Sequence, residues 1–131
     1  MRHNFPYDEF EPVDIPDEFI SGYYTLEPPA SGEDNETLIR RALEQPIGTK
    51  RLSEMVKPGM KITVAVDDSS RSTRTELMLP AVLEELRKAG IEDNDITVYI
   101  ALGTHRQMSE EEIRTKYTPE VVSRYRVENP D

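Results

Sequence analysis

The stretch Ile96-Thr97-Val98-Tyr99-Ile100-Ala101-Leu102-Gly103-Thr104-His105-Arg106 runs from a nearly continuous apolar segment into a glycine and a histidine. Its β-branched and aromatic character fits a strand buried in a sheet. A few residues on, Ser109-Glu110-Glu111-Glu112 forms a capping box, the signature of a helix start. His105 therefore sits where a buried strand ends and a helix is about to begin. In an open α/β sheet that rim is where ligands bind, and histidine is the side chain best able to exchange a proton near neutral pH. The loop Asp67-Asp68-Ser69-Ser70-Arg71-Ser72-Thr73-Arg74 repeats the arrangement after the apolar run Lys61-Ile62-Thr63-Val64-Ala65-Val66. Two polar strand-end loops predict one site.

Outward from these loops the chain reads strand, loop, helix, strand, loop, helix. Thr73-Arg74-Thr75-Glu76 fits a capping box that opens a helix carrying Leu77, Leu79, Val82, Leu83 and Leu86, bent at Pro80 and stopped at Gly90. The helix after Ser109 continues through Ile113 and Tyr117, Thr118-Pro119-Glu120 starts another with Val121 and Val122, and Arg126-Val127-Glu128-Asn129 begins a third strand. Upstream, residues 36–44 form a helix with Leu38, Ile39, Ala42 and Leu43 on one face, ended by Pro46 and Gly48. A short helix over 51–56 follows Thr49 as its cap, and Pro58-Gly59 turns the chain into the first core strand. The fold class is α/β: a three-layer, Rossmann-like parallel sheet flanked by helices. Right-handed crossovers place both polar loops on the same edge. Residues 1–33 hold Pro6, Pro12, Pro16, Pro28 and Pro29 among the aromatics Phe5, Tyr7, Phe10, Phe19, Tyr23 and Tyr24. They predict a packed N-terminal arm of short strands attached to one domain over 1–131.

Composition narrows the partners. A net charge of −10 over 131 residues argues against nucleic acid or an anionic membrane. With no cysteine there is neither a disulfide framework nor a thiolate for metal or nucleophile chemistry. No signal-peptide pattern occurs and no apolar run approaches the roughly 20 residues that cross a bilayer, so a cytoplasmic protein is expected. Arg71 and Arg74 still leave room for an anionic small molecule.

In the first loop, a helix N-terminus offers unpaired N–H groups and a partial positive charge, which favour phosphate or carboxylate. Ser69, Ser70, Ser72 and Thr73 add hydroxyls and Arg71 a guanidinium fork. Asp67 and Asp68 suit sugar hydroxyls or the orientation of Arg71. The plainer alternative is that Asp68 and Thr73 cap the turn while the arginines are solvated. His105 has a plainer alternative too, as a strand-end histidine bonded to backbone. Gly103 serves a tight turn or lets a ligand approach the backbone. His3 is assigned no role, Tyr23 and Tyr24 are read as core, and Glu110-Glu111-Glu112 is read as a helix start, leaving no metal site.

Several pieces together resemble the N-terminal domain of the nickel-pincer-nucleotide-dependent lactate racemase family. They are Phe5-Pro6-Tyr7, Leu43-Glu44-Gln45-Pro46-Ile47-Gly48, Lys57-Pro58-Gly59-Met60-Lys61, Asp67-Asp68-Ser69-Ser70-Arg71, Leu79-Pro80 and the run from Ala101 to Glu112, in order and at suitable spacing. The resemblance implies an enzyme that inverts a 2-hydroxy acid through a transient 2-keto acid. A histidine takes the hydroxyl proton while hydride moves to the pyridinium ring of the cofactor. It makes His105 one of two acid/base histidines and Arg71 the arginine that orients substrate. It gives Asp67, Asp68, Ser70, Thr73, Gly103 and Thr104 to the phosphate and ribose end of the cofactor. The chain departs from the family pattern at Ser70, Ser72 and Arg74, which stand for a threonine and two prolines. Arg74 adds a cation, which points to a larger or more anionic hydroxy acid than lactate. A further departure is Asn129-Pro130-Asp131, where the pattern reads asparagine-histidine-aspartate. In the family the second histidine, the lysine carrying the cofactor and the nickel-binding histidine lie further along.

Two readings follow. One is the N-terminal domain of a 2-hydroxy-acid racemase or epimerase, partnered by a C-terminal domain of the same protein. As an isolated chain it would hold no cofactor or nickel, be inactive, and self-associate through exposed apolar surface. The other is a non-catalytic module binding an anionic metabolite or nucleotide.

Overall fold

The computed structural model describes residues 2–4, 9–22, 24 and 32–131, with backbone alone for Arg2 and His3. The chain divides into two compact units, Met1–Gly32 and Glu33–Asp131. In the first, β1 (Arg2–His3) pairs antiparallel with β2 (Val13–Asp14), and a 3-10 turn follows at Asp17–Phe19. Strands of two residues cannot bury a face, and Phe10, Phe19 and Tyr24 are exposed. The expectation that Tyr24 is core therefore does not hold. Phe5, Pro6, Tyr7, Tyr23, Pro28 and Pro29 lie outside the described residues.

The second unit opens with α1 (Asn35–Glu44), where Asp34 caps by accepting from the Thr37 N–H at 2.8 Å. A single turn, α2 (Leu52–Met55), comes next. The expected cap Thr49 instead points its hydroxyl at Met55 Sδ, while Glu54 accepts from the Arg51 N–H. Three parallel strands then form one sheet in the order β3 (Ile62–Val66), β4 (Ile96–Ile100), β5 (Arg126–Glu128). The crossover from β3 to β4 is α3 (Thr75–Lys88), and that from β4 to β5 is α4 (Glu110–Tyr117) with α5 (Pro119–Arg124). The parallel sheet flanked by helices is the α/β class expected.

Contact between α3 and α4 places both crossovers on one side of the sheet. Val66, Ile96, Val98 and Ile100 point to that side and pack with Leu79, Leu83, Leu86, Tyr117 and Val121. Burying each such side chain is worth about 1.5–3 kcal/mol, so this interface holds the domain together. Thr63 and Ala65, alternating with the core residues, are exposed, and Thr97 and Tyr99 are half-buried.

Two helix ends bear on the site. The expected Thr73 capping box is absent: α3 begins at Thr75 without a side-chain cap, and the Glu76 carboxylate pairs with the Arg74 guanidinium instead of reaching back. At its other end α3 closes in a Schellman motif, Ile91 N–H donating to the Leu86 carbonyl at 3.1 Å and Gly90 N–H to Arg87 at 2.9 Å. Gly90 has φ +84°, and a Cβ there would meet Pro58 Cγ at 2.9 Å. Gly90→Ala is therefore expected to destabilise the domain by about 1–3 kcal/mol. A thermal melt should fall by roughly 5–20 °C, and an unchanged midpoint would show that the turn adapts freely.

Candidate functional site

In-register pairing of Val66 with Ile100 ends β3 and β4 at the same level, and Ala101 N–H extends the ladder to the Val66 carbonyl at 2.8 Å. The loops 67–74 and 101–109 therefore leave one edge together. They meet at His105 and Asp68: His105 Nδ1 lies 2.5 Å from Asp68 Oδ2, with the Asp68 side chain 6% exposed and that of His105 49%. Ser70 donates to the other carboxylate oxygen twice, from its N–H at 2.9 Å and its hydroxyl at 2.5 Å. Its Oγ is also 3.4 Å from His105 Nδ1. The Ser70 hydroxyl, then His105 and the Ser70 N–H, hold the Asp68 carboxyl well below the usual carboxylate range. An ionised Asp68 accepts from Nδ1–H, which leaves Nε2 as the ring nitrogen with a free lone pair. A cleft of about 310 Å³ adjoins the pair, lined by Asp68, Ser69, Ser70, His105, Arg106 and Met108, and is large enough for a small organic acid.

The other expected residues are placed less uniformly. Arg71 is exposed, and its guanidinium has no side-chain partner among the described residues. It stands on the loop that carries Asp68 but forms no hydrogen bond with His105. Gly103 has φ +61° and open space where a Cβ would be, and Thr104 beside it is exposed. Asp67 faces the base of α3, accepting from the Thr75 hydroxyl at 2.7 Å. Burial pushes its carboxyl up, but hydrogen bonds from Thr73 and Thr75 and the charge of Lys116 leave it below its ordinary value. Arg74 is engaged by Glu76, so it does not bring a free cation to the cleft.

Sequence reading overlooked what holds these loops. Tyr117 is fully buried and donates its hydroxyl to the Asp67 carbonyl at 2.6 Å. Lys116 donates to the carbonyls of Arg71 and Thr73. The His105 loop is fixed from β5: the Asn129 amide pairs with the Met108 backbone at 2.8 and 3.2 Å, and Gln107 donates to the Asn129 carbonyl at 2.9 Å. Arg106 forms a bidentate pair with Glu112 at 2.7 and 2.9 Å, where Ser109 and Glu112 complete the expected capping box. Arg106 and then the Ser109 N–H lower the Glu112 carboxyl to about 2.

Asp68 and Glu112 both sit below their unfolded values, so each stabilises the fold above about pH 4 and loses that contribution as pH falls through its native value. Stability should therefore be level above about pH 5 and decline steadily from pH 4 toward pH 2. Chemical denaturation midpoints across that window are the check, and a flat profile would contradict these pairings.

Among the described residues no three His, Cys, Asp or Glu side chains converge as a metal set, and no helix is long and apolar enough to cross a membrane. Residues 7–131 match the family described as lactate racemase N-terminal domain. The chain is 32% identical over 111 residues to a lactate racemase of Thermoanaerobacterium thermosaccharolyticum, covering 83% of this chain and 26% of that protein. It is 28% identical over 85 residues to a lactate racemase of Lactiplantibacillus plantarum, covering 65% of this chain and 20% of that one. In structure it resembles the lactate racemase apoprotein from T. thermosaccharolyticum with a TM-score of 0.79 and 28% identity, over 100% of this chain and 30% of the other. The chain thus spans less than a third of the length of these relatives.

Proposed function

The chain belongs to the lactate racemase N-terminal domain family, and from that membership we propose that it supplies one acid/base histidine and a substrate-orienting arginine to a cytoplasmic 2-hydroxy-acid racemase or epimerase. The observation that carries the reading is the Asp68–His105 pair: an ionised carboxylate holding one ring nitrogen of a histidine that lines a cleft at the sheet edge. Nε2 of His105 takes the proton of the substrate hydroxyl, and Asp68 stabilises the resulting imidazolium without itself taking the proton. Arg71, without a side-chain partner among the described residues, binds the substrate carboxylate and favours the forming carbonyl. On the return step the same nitrogen gives the proton back.

The nickel-pincer nucleotide, when bound, supplies the acceptor for the substrate hydride. This chain's groups fit its nucleotide end and not its metal. The N-terminus of α3 lacks a side-chain cap, a setting that favours phosphate. Ser70, Thr73 and Thr104 offer hydroxyls, Asp67 suits a ribose, and Gly103 leaves the backbone approachable. Asp68 belongs with His105 in preference to the cofactor, because both of its oxygens already accept from His105 and Ser70. The remaining machinery comes from a C-terminal domain of the same protein, and without it the chain is inactive.

Titration of the isotope-labelled chain with lactate and then pyruvate, read by NMR at the His105 imidazole and the Arg71 guanidinium, tests this. Both signals should move together, with an affinity of about millimolar from a few charge-assisted contacts. Movement of Arg71 alone would favour a passive anion-binding module, and no movement of either would overturn the assignment.

A further inference from the structure

Lys116 stands on the last turn of α4 with its side chain only 11% exposed. Its ammonium lies 2.7 Å from the Arg71 carbonyl, 2.9 Å from the Thr73 carbonyl and 3.7 Å from the Asp67 carboxylate. All three contacts fall on the loop between β3 and α3. A lysine at a helix C-terminus gains its favourable dipole interaction while fully solvated, and lysine is among the side chains least often buried. Ordering it here therefore needs another gain, and the loop supplies one. The stretch from Ser69 to Arg74 is exposed throughout, and before the Arg74 carbonyl, which accepts from Leu77 and Met78 at the start of α3, its backbone bonds are few: Arg71 N–H to the Asp68 carbonyl at 3.3 Å and Thr75 N–H to the Thr73 carbonyl at 2.8 Å. Lys116 bridges the Thr73 carbonyl, which also accepts from the Thr75 N–H, and the Arg71 carbonyl, which no backbone donor reaches among the described residues. It also grows out of the helix that directly follows the His105 loop, so one helix joins the two loops.

We propose that Lys116 is a positioning residue for Arg71: pinned across the carbonyls of Arg71 and Thr73, its ammonium fixes the backbone from which the guanidinium reaches the substrate carboxylate. This rests on the reading of Arg71 as a substrate ligand. Lys116 touches no substrate itself. It limits how far the arginine loop can drift from the histidine loop, and an arginine whose root wanders binds a carboxylate less tightly.

Lys116→Met keeps the aliphatic stem and its packing while removing every donor. In this variant the hydrogen-bonded amides of Ser70, Arg71 and Thr75 should exchange at least tenfold faster, while those of the core residues Leu83 and Ile100 stay as in the wild type. The lactate dissociation constant should rise by about tenfold, and on an Arg71→Ala background the same change should add nothing. Unchanged loop exchange, or losses that simply add in the double variant, would overturn the proposal. If Lys116→Met fails to fold, the wild-type chain still decides. Slow hydrogen exchange at Nζ with scalar couplings across the hydrogen bonds to the Arg71 and Thr73 carbonyl carbons supports it, and a freely exchanging ammonium overturns it. If the wild type binds no 2-hydroxy acid, the assignment of the site fails, and with it the role toward substrate, while the exchange data still report whether Lys116 holds the loop.

Discussion

Replacing His105 with alanine is expected to cut racemisation by about 10²- to 10⁴-fold in the cofactor-loaded protein this chain is proposed to complete, the usual worth of a positioned acid/base group. The form of the loss is more telling than its size. Mirror-image substrates have an equilibrium constant of one, so any variant must lower kcat/KM equally in the two overall directions. The two half-reactions are not bound in that way. With two histidines each serving one enantiomer, His105→Ala should abolish single-turnover formation of 2-keto acid from one enantiomer and largely spare the other. Equal half-reaction rates from both enantiomers would remove His105 from the role. Asp68→Asn separates the base from its support. Nδ1–H can still donate to the amide oxygen, but the ionised group that stabilises an imidazolium is gone. The same half-reaction should slow by about two orders of magnitude while lactate binding through Arg71 persists. A loss of binding alone would mean that Asp68 organises the loop and does not support proton transfer.

The elements that sequence reading captured are those with a strong local period. The apolar runs at 62–66 and 96–100 are strands in register, and the Ser109 box and the Thr118-Pro119 start open helices where expected. Their pairing places His105 and the Asp67–Arg74 loop on one edge, because strand direction and crossover hand leave few alternatives. The Asp68–His105 hydrogen bond was not legible, since the two residues are 37 apart and no spacing rule links them. Thr73 misled because Glu76 had a nearer partner in Arg74 than the backbone behind it. The aromatics at Phe10, Phe19 and Tyr24 suggested packing, yet all three are exposed. Lys116 was concealed by a second role. A basic residue in a final helical turn is expected for dipole reasons alone, so nothing in the sequence marked it as reaching a loop 45 residues away.

Tyr117 joins the stability of the core to the shape of the site, and two substitutions separate the contributions. Its ring is fully buried between the sheet and α4, while its hydroxyl donates to the Asp67 carbonyl and touches Met108 Sδ at 3.6 Å. Burial, then the charges of Asp67 and Asp68, push the phenol above its ordinary value, so it remains a donor at any physiological pH. Tyr117→Ala removes the largest fully buried side chain of the domain and should cost about 3–5 kcal/mol. A domain of this size has roughly 5–15 kcal/mol in total, so the melting temperature should fall by about 15–30 °C. Tyr117→Phe keeps the packing but leaves the Asp67 carbonyl without its donor, which should cost about 1–2 kcal/mol. That carbonyl immediately precedes Asp68, so the phenylalanine variant should also loosen the carboxylate that holds His105. Thermal melts together with the His105 imidazole signal distinguish the two effects. A phenylalanine variant that melts and resonates like the wild type would mean the hydroxyl is only filling space, and the Asp67–Asp68 segment would then owe its geometry to Lys116, Thr75 and Ser70.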